Sequence, residues 1–414
     1  MSKIYILSLG CPRNLADSEV IAGRLKLKGH VIVDTPDADI GIVNTCAFIK
    51  EAKQESIDAV LDLIELKNKG RLKKIFVAGC LPQRYGKELV EHLREVDGYW
   101  GRISLNHAHE RLRLTPAHYA YVKISDGCRN NCSYCIIPKI KGKYASRSIK
   151  SIIDEVDILN KAKTSEINIV GQDTTLYGVD IYKKQNLASL LKEIIKHSRN
   201  IHWIRLLYLH PAHIQDALLD LIASEQKICK YVDLPVQHIN NRILKIMNRH
   251  TTRNDILKLI DKIRKKIPGV ALRTALIVGF PTETEKEFKE LEDFVRDASF
   301  ERLGVFVYSR EERTRAFNLR PQISDKLKNE RFDRLMSLQQ EISCQINKKY
   351  LGTIQEVLIE EKNKSNIYLG RTQMDAPEVD GLVYVKSAKT LEPGDFVKVK
   401  IKDTLEYDLA GEIA

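Results

Sequence analysis

Cys128, Cys132 and Cys135 fall within eight positions, Cys128-Arg129-Asn130-Asn131-Cys132-Ser133-Tyr134-Cys135, directly after a strand-like run that ends near Ile124. The chain has 8 cysteines in 414 residues, so three on one loop are not an accident of packing. Three thiolates at this spacing can hold three irons of a four-iron cluster and leave the fourth iron open to a substrate or cofactor. Zinc is the rival metal, but it wants a fourth ligand and usually paired knuckles. The nearest downstream histidine, His197, is distant in sequence.

The loop sits inside a β/α alternation. Strand-like runs at Tyr119–Ile124, Glu166–Val170, Trp203–Leu209, Tyr231–Leu234, Val270–Val278 and Leu303–Val307 are separated by helical patterns. Examples are Ser148–Lys161, Leu187–Ser198, Asn254–Lys266 and Glu283–Asp297, and a long helical pattern, Ser324–Tyr350, follows. Six such units predict a barrel or partial barrel that works at the carboxyl ends of its strands. A doubly wound sheet is the alternative, but no G-x-G-x-x-G follows any of these strands.

A shorter alternation precedes it. Strands are expected at Lys3–Ser8, Ile40–Asn44 and Lys74–Ala78, and helices at Ala16–Lys28, Glu51–Leu66 and Tyr85–Glu95. Cys11, Cys46 and Cys80 each fall two or three residues beyond one of these strands. Parallel strands of one sheet end on the same edge, so the three thiols should converge there. This predicts a second three-thiolate site, although each cysteine alone would pass for a small buried hydrophobe. Cys229 and Cys344 share no such placement and read as structural.

After residue 345 the pattern becomes short strands and tight turns, as in Glu392-Pro393-Gly394-Asp395, which predicts a small antiparallel β-barrel. The division is thus 1–112, a parallel α/β domain; 113–345, a partial (βα)6 barrel; and 346–414, the β-barrel. A connection near His107–Pro116 separates the first two.

No run of about 18 uncharged apolar residues occurs, and MSKIYILSLGCP is no secretory leader, so a cytoplasmic protein without a membrane partner is expected. The net charge of +12 lies in residues 113–345, with 40 basic and 28 acidic side chains. A basic middle suits RNA or a solvated surface equally. Residues 346–414 carry 10 basic and 12 acidic side chains. Asp375, Glu378 and Asp380 there are expected to dock a basic partner.

The C-x3-C-x-Tyr-C loop resembles that of radical S-adenosylmethionine (SAM) enzymes. Together with Gly10-Cys11-Pro12, Asn44-Thr45-Cys46 and Gly79-Cys80, the chain resembles the methylthiotransferases of that superfamily along essentially its whole length. The resemblance implies an N-terminal cluster domain, a radical SAM barrel and a C-terminal TRAM barrel. It implies two 4Fe–4S clusters, on Cys11, Cys46 and Cys80 and on Cys128, Cys132 and Cys135. One SAM would be the radical source and a second the methyl donor, and an electron donor and a sulfur donor would be needed.

Two branches of the family differ in substrate. Gly10-Cys11-Pro12-Arg13-Asn14-Leu15-Ala16-Asp17-Ser18-Glu19 is similar to the branch that modifies an aspartate of the twelfth protein of the small ribosomal subunit, which implies ribosomal RNA nearby as a further partner. The branch that modifies tRNA adenosines usually has Gln and Met after this Cys. Gly79-Cys80-Leu81-Pro82-Gln83-Arg84-Tyr85 and Asp375-Ala376-Pro377-Glu378-Val379-Asp380-Gly381 point the same way, whereas Lys139-Ile140-Lys141-Gly142-Lys143-Tyr144 departs from the usual Arg-Gly pattern. A tRNA methylthiotransferase and, further off, a non-catalytic RNA-binding protein are the alternatives. Candidate SAM contacts lie at barrel strand ends: Tyr134 beside adenine, Gln172 and Asp173 near the amino group, Gln237, and Arg273 at the carboxylate. Turn capping for Asp173 and a core ion pair for Arg273 are the plainer readings. His210 reads as structural and His238 is open.

Overall fold

The computed structural model describes residues 1–103, 110–364 and 366–414. His107, in the expected connection, lies outside the described residues. The N-terminal part runs β1 (Lys3–Ser8), α1 (Pro12–Leu27), β2 (Val31–Val33), β3 (Ile40–Thr45), α2 (Lys50–Asn68), β4 (Lys74–Gly79), α3 (Cys80–His92) and β5 (Gly98–Trp100). Its five strands are parallel, in the order β2-β1-β3-β4-β5. Ile4, Ile42, Val43, Ile75 and Val77 are buried between the sheet and its helices. The edge strands β2 and β5 were not expected, because three residues are too few to show a period.

The middle part contains β6 (Tyr119–Lys123), β7 (Ser125–Asp126), α4 (Ile137–Lys141), β8 (Ala145–Ser146), α5 (Ile149–Lys161) and β9 (Glu166–Val170). It continues with α6 (Leu187–His197), β10 (Trp203–Leu206), α7 (Asp216–Ser224), β11 (Tyr231–Asp233), α8 (Asn241–Ile246) and α9 (Arg253–Lys266). It ends with β12 (Ala271–Val278), α10 (Glu285–Ala298), β13 (Arg302–Val307) and α11 (Asp325–Lys348). Two parallel triplets form, β10-β9-β6 and β11-β12-β13. Backbone bonds from Cys229 to Ile204 and from Leu209 to Asp233, both 3.0 Å, join them. Six strands therefore follow one another as an open (βα)6 barrel, and the β7–β8 antiparallel pair pinches off the loop that carries Cys128, Cys132 and Cys135.

The last part is a closed barrel of β14 (Ile354–Lys364), β15 (Ile367–Arg371), β16 (Val383–Lys386), β17 (Phe396–Thr404) and β18 (Leu409–Ile413). Its pairings are antiparallel except β16 with β18, which is parallel. Among the described residues no helix is long and apolar enough to cross a membrane.

Buried ion pairs fasten the three parts. Arg111 bridges Glu19 of α1 and Glu155 of α5. On the other flank Arg84 of α3 pairs with Glu311 at 2.8 Å and Glu312 at 2.7 Å, and Lys53 of α2 reaches Glu311 at 2.9 Å. Charges this deep are tolerated only when paired. They hold the carboxyl edge of the N-terminal sheet over the carboxyl face of the barrel.

The acidic segment of the C-terminal barrel does not form the outward docking patch that its composition suggested. It plugs the amino-terminal end of the middle barrel. Asp375 pairs with Arg302. Glu378 accepts hydrogen bonds from the hydroxyls of Tyr119 (2.8 Å) and Tyr121 (3.3 Å). Asp380 accepts from the Tyr231 hydroxyl at 2.6 Å and pairs with Arg273 at 3.3 Å. Nearby, Glu166 binds both Arg205 (2.8 Å) and Arg371 (2.7 Å). Asp375 and Asp380 are drawn inward, and the more exposed Glu378 is turned to the barrel, because the strand starts offer matching cations and hydroxyls.

Candidate active site between two cysteine-bearing edges

Cys11, Cys46 and Cys80 end three neighbouring loops at the carboxyl edge of the N-terminal sheet. Cys11 is the N-cap of α1, with Pro12 in the first turn, and Cys80 is the first residue of α3. Helix N-termini favour negative charge at both positions. Asn14 ties the loops together, its side-chain amide donating to the carbonyls of Leu9 (2.7 Å) and Asn44 (3.0 Å). The Asn44 amide donates back to the Asn14 carbonyl at 2.8 Å. Thr45 donates to the Ala78 carbonyl at 2.6 Å, and Ser56 Oγ accepts from the Cys46 amide at 3.0 Å.

The glycine before Cys80 is required by close approach. At Gly79, φ is +93° and a Cβ would sit 2.3 Å from Asn44 Oδ1. At Gly10, φ is +86° and a Cβ would sit 2.6 Å from that of Cys46. A side chain at either position would displace a cysteine-bearing loop.

All six cysteines are free thiols. Burial pushes Cys80 and Cys135 up to about 12 and Cys128 up to about 11. Burial would raise Cys11 as well, but the Arg13 charge brings it below its ordinary value. Buried thiols of this kind ionise readily only against a cation, so this donor set fits a thiolate-ligated cluster. Among the described residues only Asp173, His210 and His213 bring three ligand atoms within 4.8 Å of one another, the spacing of a single ion.

The barrel-side candidates lie around the same face. Asp173 is buried, with Oδ2 accepting from Asn130 (2.7 Å) and next to His213 Nδ1 (2.9 Å), while Oδ1 accepts from the Thr175 amide (3.1 Å). Burial works against its charge, and His213 and Thr175 nonetheless hold the carboxyl below the usual range. His210 stacks on His213 with centroids 4.6 Å apart, and burial lowers it to about 2, so its ring is neutral. Gln172 donates to Asp126 at 2.9 Å and keeps its buried Oε1 without a partner. Gln237 has φ +71° and exchanges backbone bonds with Ala275 and Ile277, both 2.8 Å, across the strand. Tyr134 packs among Ile243, Met247 and Phe280. Arg273 is engaged by Asp233 (3.2 Å) and Asp380 (3.3 Å), which matches the core ion pair. His238 is fully buried, lowered to about 3 by burial, and caps Asn240.

Three cations lie near the cysteines, of which only Arg249 falls outside the quoted motifs. Arg249 donates through Nη1 to Cys132 Sγ at 3.7 Å and through Nη2 to the Pro235 carbonyl at 2.6 Å. Lys141, from the segment that departs from the usual pattern, is buried against Asp17 at 3.2 Å. Burial opposes the Lys141 charge, yet Asp17 and Cys80 hold it above its ordinary range. Arg13 reaches across to the barrel, donating to the Gly171 carbonyl at 3.0 Å.

The Radical SAM superfamily model matches residues 122–295, Uncharacterized protein family UPF0004 matches 3–101 and the TRAM domain matches 351–414. The ribosomal protein uS12 methylthiotransferase RimO of Clostridioides difficile is 46% identical, over 100% of this chain and 99% of that protein. Its namesake in Caldanaerobacter subterraneus subsp. tengcongensis is 47% identical over 100% of both. The chain belongs to the RimO family. Solved structures agree in fold. TsrM, a radical SAM methyltransferase from Kitasatospora setae, superposes with a TM-score of 0.56 at 14% identity, covering 86% of this chain and 81% of that one. OxsB gives 0.52 at 12% identity, over 82% of this chain and 56% of that one. Within this RimO-family chain, Lys141 and Arg13 are the side chains that carry charge from one part to the cysteine site of another.

Proposed function

We infer that this chain is a radical SAM methylthiotransferase that converts an aspartate of ribosomal protein uS12 to its 3-methylthio derivative. The observation that carries the reading is the full-length likeness to RimO proteins, in a chain where Arg13, two residues after Cys11, reaches Gly171 of the barrel that carries Cys128, Cys132 and Cys135. When bound, two 4Fe–4S clusters and SAM supply the hydrogen abstraction, the sulfur and the methyl group, chemistry beyond any side chain at neutral pH. Cys128, Cys132 and Cys135 would hold the SAM-binding cluster, and Cys11, Cys46 and Cys80 the cluster that carries sulfur.

The chain's own residues orient and enclose. Asp173, fixed by Asn130, Thr175 and His213, presents a carboxylate suited to an ammonium group. Gln172 Oε1 is a free acceptor beside it. Tyr134 offers a ring near the radical loop, and Gln237 a polar side chain at a strand end. Arg273 is paired with Asp233 and Asp380. An electron donor, a sulfur donor, nearby ribosomal RNA and a cytoplasmic setting follow from such a substrate. The three-part division at 1–112, 113–345 and 346–414 assigns the sulfur site, the radical site and the closing barrel in turn.

The test is anaerobic reconstitution followed by assay of 5′-deoxyadenosine. The unaltered protein should bind about eight irons and cleave SAM. The Cys128→Ala, Cys132→Ala, Cys135→Ala protein should keep about half the iron and lose cleavage. Cleavage by that triple variant would overturn the assignment.

A further inference from the structure

Arg13 stands where the two cysteine sets meet. It lies in the first turn of α1, two residues after Cys11, and reaches the barrel on the residue that follows β9. Its guanidinium lies 4.5 Å over the ring of Tyr208 and donates to Gly171 at the end of β9. Tyr208 is itself held, its amide donating to Asp233 Oδ2 at 2.8 Å. The plane of the guanidinium is thus set from both sides by the barrel.

Several cations of the molecule have carboxylate partners, whereas Arg249 is spent on Cys132 Sγ and the Pro235 carbonyl. Lys141 has Asp17, Arg84 has Glu311 and Glu312, and Arg273 has Asp233 and Asp380. Among the described residues Arg13 forms no ion pair with a carboxylate. A withdrawn guanidinium without one is costly. Five N–H donors serve one carbonyl and one thiol, which leaves hydrogen-bonding capacity unspent. The residue is half-buried, so part of it remains accessible.

We propose that Arg13 binds the side-chain carboxylate of the aspartate being modified and thereby selects an acidic side chain over a neutral one. The proposal rests on the uS12 reading above. An aspartate whose β-carbon sits between the two cysteine sets places its carboxylate one bond away, within the reach of a group lying between them. A planar guanidinium fork matches a carboxylate by two parallel hydrogen bonds, and a neutral base such as adenine offers it no charge.

The experiment is a two-by-two comparison with cluster-loaded enzyme. Unaltered enzyme and Arg13→Gln are each titrated, by fluorescence anisotropy, with labelled uS12 and with uS12 whose target aspartate is replaced by asparagine. Contacts elsewhere on uS12 cancel in the ratio. The unaltered enzyme should prefer the aspartate form by about tenfold or more, the scale of one charge-assisted pair, and Arg13→Gln should lose that preference. Iron per chain and the electron paramagnetic resonance of both clusters are read alongside. If Arg13→Gln loses iron, Arg13→Lys, which keeps the charge beside Cys11, carries the test, and its preference should fall at least about threefold with iron intact. An unchanged preference in the iron-replete variant overturns the proposal and leaves Arg13 as a counter-charge for the thiolates. Failure of the unaltered enzyme to modify uS12 at all overturns the functional reading itself.

Discussion

Asp380 of the C-terminal barrel and Arg273 of the middle barrel are ion-paired at 3.3 Å, and Arg273 passes the contact on to Asp233 at 3.2 Å. Asp233 in turn fixes Tyr208, on which Arg13 of the N-terminal part is stacked. One chain of contacts thus runs through all three parts of the molecule and ends two residues from Cys11.

Breaking that chain should act from inside. Asp380→Asn is expected to cost about 3 kcal/mol, since it leaves Arg273 with half of its compensation in a buried setting. Thermal unfolding should report the loss. Methylthiolation should fall by the same factor at low and high salt, because the affected charges are shielded from mobile ions. A loss confined to low salt would instead mark an exposed docking patch.

The glycines before the N-terminal cysteines give a second prediction. Gly79→Ala would place a methyl group 2.3 Å from Asn44 Oδ1 at a backbone φ of +93°. The strain, on the order of 1–3 kcal/mol, falls on the loop that carries Cys46 and should remove one of two clusters, about half the iron. Retention of full iron would mean that the loop geometry does not govern loading.

Cys46→Ala should separate the two halves of the chemistry. Cys46 lies on the N-terminal edge and outside the radical loop. The variant should still form 5′-deoxyadenosine from SAM but make no methylthio product. Product at the unaltered rate would remove Cys46 from the sulfur site.

Stability should fall in acid for a nameable reason. Burial would raise the Glu287 carboxyl, but Arg242 and the Thr284 cap bring it to about 2, from 4.5. Its contribution is therefore complete above pH 4.5 and disappears as pH falls towards 2. Because Arg242 is 47% exposed, the effect is about 1 kcal/mol rather than the full shift. Glu287→Gln should be less stable than the unaltered chain at pH 7 and equal to it near pH 2, by urea unfolding at both values.

The sequence carried the fold where elements are long and periodic. β1 and β9 fall at the expected limits, and all six barrel strands are present. The N-terminal start of α3 was missed because Cys80-Leu81-Pro82 looks like a loop, although proline is well tolerated in a first turn. β18 closes the small barrel through a parallel pairing with β16 that no hairpin signal announces. The convergence of Cys11, Cys46 and Cys80 was legible, since equal spacing after parallel strands fixes a common edge. Asp375, Glu378 and Asp380 were misread because their partners Arg302, Tyr119, Tyr231 and Arg273 lie far away in sequence. The same distance hid Arg13, whose carbonyl partner Gly171 is 158 positions downstream.

The most direct test of the account is mass spectrometry of uS12 and of tRNA after incubation with the reconstituted protein, SAM, a reductant and a sulfide source. One methylthio group in place of hydrogen on a uS12 aspartate is expected, with tRNA adenosines unchanged. Methylthiolated tRNA beside unmodified uS12 would contradict it.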